Sequence, residues 1–292
     1  MTFRRLNHLV VMTVFLLAFS VAPSDASAKA MIPVNKPCGE VATATYTHVV
    51  WIMLENEGYS VVGSPSAPYF NELGVQCALA TNYYAISHPS LPNYVALTSG
   101  SPQGITDDGE PNTHRLAVAN IFSQLGSKWR TLVESMPGAC DSVTSGLYAA
   151  RHNPAVYYTG IKATCRHDDV PMNYPLNLSA DFTIIVPNVC HDMHSCPVSA
   201  GDAWLKRVVP MIVKSSQYQS RSLVLFITFD ENDLMASNRV PTLVIAPTTP
   251  RGARVAMRLN HYSLLRTTEA LLHVKFLGGA KTAASMVAPF HL

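Results

Sequence analysis

The sequence carries little charge, and what it has nearly cancels: charged residues are 14% of 292, with 21 Lys and Arg against 19 Asp and Glu. No clustered basic stretch stands out, so counterion release has little to act on and nucleic acid is not an expected partner. A glycine-rich GxxxxGK[ST] loop is missing, which argues against a P-loop kinase or ATPase. No internal repeat, low-complexity tract or linker divides the chain, so one domain is expected from residue 29 to 292. A long apolar run is also missing: Leu9 to Phe19 is about half of the roughly 20 residues that a membrane-spanning helix needs.

That short run has a different reading. Arg4 and Arg5 precede it, Ser20, Pro23 and Asp25 end it, and Ala26-Ser27-Ala28 supplies the small residues of a signal-peptidase site. Residues 1–28 are therefore expected to be a cleaved signal peptide, making the protein secreted or extracytoplasmic with no stable membrane anchor. Six cysteines in an exported chain read as three disulfides. Proximity favours Cys38 with Cys77, Cys140 with Cys165, and Cys190 with Cys196. The competing reading is a metal site built from Cys190, His191, His194 and Cys196.

Four apolar runs set the fold class. THVVWIML (47–54), DFTIIVPN (181–188), SLVLFITF (222–229) and VPTLVIAP (240–247) are almost continuously apolar and β-branched, the pattern of strands buried on both faces. Helical spacing separates them over 115–126, over 202–214 with Asp202 as the expected N-cap, and over 262–274. Alternation of this kind predicts an α/β fold with a mostly parallel central sheet and helices on both faces. Ligands in such sheets bind beyond the carboxyl ends of the strands. Glu55 and Asn56 follow the first run, and Asp230 and Glu231 follow the third. The stretches 101–113 and 137–180, rich in Gly, Pro, Asn, Asp and Tyr, read as loops over that end.

Ser90, in SHPSLPNYVALTSG, falls at or just before an expected helix start. There the helix dipole and unpaired N–H groups favour an anionic phosphate and a developing alkoxide, although a serine in this place also serves as an ordinary N-cap. Glu55, Asn56, Asp230 and Glu231 offer the oxygen ligands that a hard cation takes, although LENEG and FDEND also suit polar turns. His88, His152, His191, His194 and His261 stand in short polar motifs rather than on apolar stripes, as proton donors or surface groups do. Tyr83, Tyr84, Tyr157, Tyr158 and Tyr174 could wall a pocket or pack in the core.

Together HVVWIMLENEGYS, APYFNEL, SHPSLPNYVALTSG, YAARHNP, VPNVCHDMH, GDAWL, FITFDEND and NHYSLLRTTE resemble the successive motifs of the bacterial phosphoesterase family. That family joins secreted acid phosphatases with phospholipases C, and the chain is most similar in form to the acid phosphatases of mycobacteria. The resemblance implies an alkaline-phosphatase-like fold in which Ser90 is transiently phosphorylated. It also implies Glu55-Asn56 and Asp230-Glu231 as acidic pairs holding at most one divalent metal ion, with His88, His152, Asp192 and His194 beside the nucleophile. His191 departs from the pattern. No complete second ligand set maps onto the sequence.

The expected function is hydrolysis of phosphate monoesters through a phosphoserine, with a small molecule or a phospholipid headgroup as substrate and the protein a monomer. In that expectation His152 or His194 protonates or steadies the leaving oxygen. One alternative is a phospholipase C-type phosphodiesterase, made less attractive by the lack of the extra C-terminal domains of larger members. The other is a non-catalytic secreted binding protein, whose mark would be a missing nucleophile or acidic pair.

Overall fold

The computed structural model describes residues 1–3, 30–234 and 236–292, so the signal-peptide expectation falls almost wholly outside the described residues. The chain divides into two units, Met1–Met31 and Ile32–Leu292. The second contains all the described helices and strands. Its strands are β1 His48–Leu54, β2 Ala78–Ala80, β3 Tyr83–Tyr84, β4 Trp129–Val133, β5 Asp169–Pro171, β6 Phe182–Val186, β7 Leu223–Phe229, β8 Thr242–Ile245, β9 Arg254–Val255 and β10 Leu259–Asn260. Eight of them form one sheet in the order β5-β4-β6-β1-β7-β8-β2-β9, and β3 pairs with β10.

The central strands are parallel: β6, β1 and β7 run together, with Leu54 opposite Phe229 at the last rung. All seven residues of β7 are buried, as expected of a strand covered on both faces. Each large aliphatic side chain so enclosed contributes about 1.5–3 kcal/mol through its removal from water. The fourth apolar run behaves differently. β8 is antiparallel to both β7 and β2, so its carboxyl end points away from the edge where β1 and β7 finish.

Helices cover both faces. The main ones are α1 Pro68–Gln76, α2 Ser90–Ser99, α3 Ile121–Leu125, α4 Lys162–Asp168, α5 Val198–Val213, α6 Ser216–Gln219 and α7 His261–Leu271. On one face the Trp51 indole N–H donates to Thr268 Oγ1 of α7 at 3.0 Å. Leu54 and its rung partner Phe229 point to the opposite face, because side chains alternate along a strand. There the Phe229 ring meets Phe70 of α1, centroids 6.0 Å apart.

Three helical expectations are corrected in detail. Over 115–126 only Ile121–Leu125 is helical, since Asn120 caps it in a reciprocal capping box and Leu116 bridges to Tyr158 instead. Asp202 is not an N-cap of its own helix, which begins at Val198. Its carboxylate accepts from the backbone N–H groups of Tyr69 (3.1 Å) and Phe70 (2.8 Å), capping the first turn of α1 from a neighbouring helix. The third of these helices starts at His261, one residue earlier than its spacing suggests, behind an Asn260 capping box. The stretch 137–180 is also more regular than a loop, containing three 3-10 turns, α4 and β5. Tyr157 and Tyr158 within it are buried.

Candidate active site

Strand register builds the site. Glu55 and Asp230 are the first residues beyond the paired ends of β1 and β7, so both carboxylates emerge side by side. Asn56 follows with φ 50, and its backbone N–H donates to Asp230 Oδ1 at 3.2 Å. Glu55 and Asp230 are wholly buried.

Ser90 comes to these acids from α2. It is the first residue of that helix, whose N-cap is Pro89 without a side-chain cap bond, so Ser90 is not a capping serine. Its hydroxyl instead donates to Glu55 Oε2 at 2.9 Å. The other oxygen, Glu55 Oε1, accepts a short hydrogen bond from Tyr94 one turn further along α2. Asn93 secures the approach: its Oδ1 accepts from the N–H groups of Ile86 (3.0 Å) and Ser87 (2.9 Å), and its Nδ2 donates to Ser87 and Pro89 carbonyls. This amide sits three residues after Ser90 in SLPNY, yet no sequence rule separates it from a helix-surface asparagine.

Loops complete the cluster. His152, at the end of a 3-10 turn, lies with Nδ1 3.1 Å from Asp192 Oδ2 and Nε2 3.5 Å from Glu55 Oε1, and its ring stacks on Tyr94. His88 Nδ1 makes a short hydrogen bond with Glu231 Oε2 at the rim. His194 is further out, its Nε2 3.2 Å from Arg151 Nη2 and its Nδ1 3.0 Å from Ser195 Oγ. Arg151 Nε in turn lies 3.9 Å from Asp108 Oδ2, while Asp108 Oδ1 accepts from the Leu91 N–H at the start of α2 at 2.9 Å. Arg151 and Asp108 escaped the sequence reading, although Arg151 stands beside His152 in YAARHNP.

Other candidates have structural places. His261 is buried, with Nδ1 3.1 Å from the Tyr83 hydroxyl and Nε2 2.6 Å from the Asp230 carbonyl. His191 turns away to Glu134 at 2.8 Å. Cys190 and Cys196 form a disulfide, as do Cys38 with Cys77 and Cys140 with Cys165, so the pairing by proximity holds and the cysteine-histidine metal site does not.

Crowding of acids shapes the electrostatics. Burial, then the charges of Asp230 and Asp192, pushes Glu55 well above the carboxylate range, against the hydroxyl bonds from Tyr94 and Ser90. Asp230 is likewise raised by burial and by Glu231. Burial lifts Asp192 and Glu231 to about 7. It depresses His152 to about 3, so that ring is neutral over the ordinary pH range. A cation would relieve this repulsion. Glu55, His152 and Asp192 each present a ligand atom within 4.8 Å of the others and could hold a metal ion. Beside them Asn56 Oδ1, Asp230 Oδ2 and His152 Nε2 are buried without a hydrogen-bond partner, so oxygen and imidazole donors stand unsatisfied where a divalent ion fits. The compact ligand group takes in His152 and Asp192, drawn from loops, with Glu55 as its one strand-end acid, and Asn56, Asp230 and Glu231 of the expected metal set fall outside it.

A model of the Phosphoesterase family matches residues 51–275. The chain belongs to that family. A phosphatidylinositol-3-phosphatase of Mycobacterium tuberculosis is 31% identical over 251 residues, covering 83% of this chain and 82% of that protein. A phosphate-repressible acid phosphatase of Penicillium chrysogenum is 27% identical over 292 residues, 91% of this chain and 68% of that one. The fold is shared with a Vibrio parahaemolyticus protein of the alkaline phosphatase superfamily, with a TM-score of 0.57 at 14% identity over 86% of this chain and 72% of that one. As a phosphoesterase, this chain is a phosphoric ester hydrolase, and a phosphoester is its substrate. The α/β architecture, with its mostly parallel sheet, is similar to the fold of that Vibrio parahaemolyticus protein.

Proposed function

We propose that the protein is an exported acid phosphatase that hydrolyses phosphate monoesters through a phospho-Ser90 intermediate. The observation that carries this reading is the 2.9 Å hydrogen bond from Ser90 Oγ to Glu55 Oε2, made at the first residue of α2 and beside Asp230. Ser90 Oγ attacks phosphorus in line as its proton passes to Glu55 Oε2, the oxygen its hydroxyl already meets. The Oγ–P bond forms and the bond from phosphorus to the leaving oxygen breaks. That oxygen takes the proton that Glu231, lifted to about 7 by burial, shares with His88, since burial keeps His152 neutral and His194 Nε2 faces a guanidinium donor. Water then attacks phospho-Ser90 and gives up a proton that restores the His88 and Glu231 pair, the P–Oγ bond breaks, and Glu55 returns its proton to Ser90 Oγ.

His152 is fixed by Asp192 and orients toward Glu55, and Arg151 at the rim supplies positive charge for phosphate oxygens. Glu55, His152 and Asp192, with Asn56 and Asp230 adjacent, would hold one divalent ion that lowers the serine pKa and screens phosphate charge when bound. Three disulfides suit an oxidising compartment, and no helix among the described residues is long and apolar enough to cross a membrane. The disulfides support export, and cleavage near Lys29 would leave one phosphoesterase domain from 29 to 292. The similarity to a protein named phosphatidylinositol-3-phosphatase brings phosphoinositide headgroups into the substrate range.

Acid-quenched mass spectrometry during turnover of p-nitrophenyl phosphate tests the proposal, and a phosphorylated Ser90 peptide is expected. Full activity in Ser90→Ala, or phosphatidylcholine cleavage outrunning the monoester, overturns it.

A further inference from the structure

A cavity of about 300 Å³ is lined by none of the residues of the Ser90 cluster. Arg115, Lys162 and Arg166 reach it, and no carboxylate does. Among the described residues, four lysine and arginine side chains elsewhere have acidic partners: Lys128 has Asp181, Arg130 has Asp168, Arg151 has Asp108 and Arg251 has Glu40. Arg115, Lys162 and Arg166 form no ion pair among the described residues. Three like charges around one concavity repel each other, and an anion seated there removes that repulsion.

The basic side chains are exposed at the cavity, and its floor and one backbone wall are fixed. The Cys140–Cys165 disulfide, Cα atoms 5.4 Å apart, ties α4 to the 140 loop and so places Arg166 on one side. Buried Tyr157 and Tyr158 back the cavity, and Asn112 and Ser142 add neutral donors. The volume lies at the lower end of the roughly 300–1,000 Å³ of small-molecule sites. Guanidinium forks match phosphate oxygens two at a time.

We infer that this cavity is an accessory site for a ligand bearing clustered phosphate groups, separate from the hydrolytic centre. The ligand is a soluble phosphorylated small molecule or the headgroup of an anionic lipid, and the chemistry of recognition is the same for both. The inference stands apart from the role assigned to Ser90.

Calorimetric titration of methylenebisphosphonate, whose P–C–P linkage is not a phosphoester, tests it. R115Q/K162Q/R166Q is expected to bind at least about tenfold more weakly at one class of sites, as loss of three charge contacts implies. Its melting temperature and its kcat/KM on p-nitrophenyl phosphate should not change. The control K206Q/R207Q/K214Q, which removes three exposed charges of the α5 region, should bind as wild type does. Flotation with phosphatidylcholine vesicles containing phosphatidylinositol 4,5-bisphosphate separates the two sources: vesicle capture lost in the pocket variant assigns a lipid headgroup, and bisphosphonate binding without capture assigns a soluble ligand. An unchanged isotherm in the pocket variant, or an equal loss in the control, overturns the site.

Discussion

His261 holds Asp230 by its backbone: Nε2 lies 2.6 Å from the Asp230 carbonyl oxygen, while Nδ1 meets the Tyr83 hydroxyl. The carboxylate is thereby left free to face Ser90. In His261→Phe a buried carbonyl and a buried hydroxyl lose their partner, which costs about 1–3 kcal/mol. A lower melting temperature is expected together with a fall in kcat greater than the change in KM. Unaltered kinetics would show that Asp230 needs no such support.

The pairing of Ser90 with Glu55 predicts two different losses. Ser90→Ala should lower kcat by roughly 10³-fold or more, because no nucleophile remains. Glu55→Gln keeps the volume and the hydrogen bond but not the base, so it should lose kcat while still binding orthovanadate. Steady-state kinetics and vanadate inhibition distinguish the two.

Metal content checks the ligand group directly. Protein dialysed against a divalent metal should retain about one equivalent by mass spectrometry of the element, as one ligand group implies. His152→Ala and Asp192→Asn should each retain much less. Equal retention in wild type and both variants would remove the metal role from this cluster.

Stability should depend on pH through two acids outside the site. Burial raises Glu269 from an ordinary 4.5 to about 8 and Asp169 from 3.8 to about 7. The folded state thus holds protons that the unfolded chain has released. Their stabilising effect is full below about pH 4, declines above it, and is gone once pH passes 8. Denaturant melts of Glu269→Gln across this range should show a shallower decline than wild type.

Removing the Cys140–Cys165 bridge, which closes a separation of 25 residues, should cost about 2–4 kcal/mol. Chemical denaturation of the C140S/C165S double variant measures this. The bridge lies away from Ser90, so monoester turnover at low temperature should persist.

Much of the scaffold was legible because its signals are local. Continuous apolar runs mark strands buried on both faces, and the acids at their ends mark the side where chemistry sits. Glu55 and Asp230 were named from such strand ends, Ser90 from its expected place at a helix start, and His88, His152 and Asp192 with the help of the family resemblance, and they come together in space. What stayed hidden was contact between distant segments. Asp202 reads as a cap for its own helix and instead caps α1, 132 residues away at Phe70. The run at 240–247 has the composition of a parallel strand, and only its neighbours set β8 antiparallel.

By itself, then, the sequence determined four buried strands and the disulfide pairing favoured by proximity, through short-range periodicity, spacing and compartment chemistry, while several candidate residues, Asp192 among them, came from the resemblance to a family. Only the tertiary structure decided how those residues act on one another. Register between β1 and β7 sets Glu55 against Asp230, and the fold of two loops brings His152 and Asp192 to them. Burial created by that packing then neutralises His152 and raises the acids, because desolvation depends on what surrounds a group and not on its place in the chain.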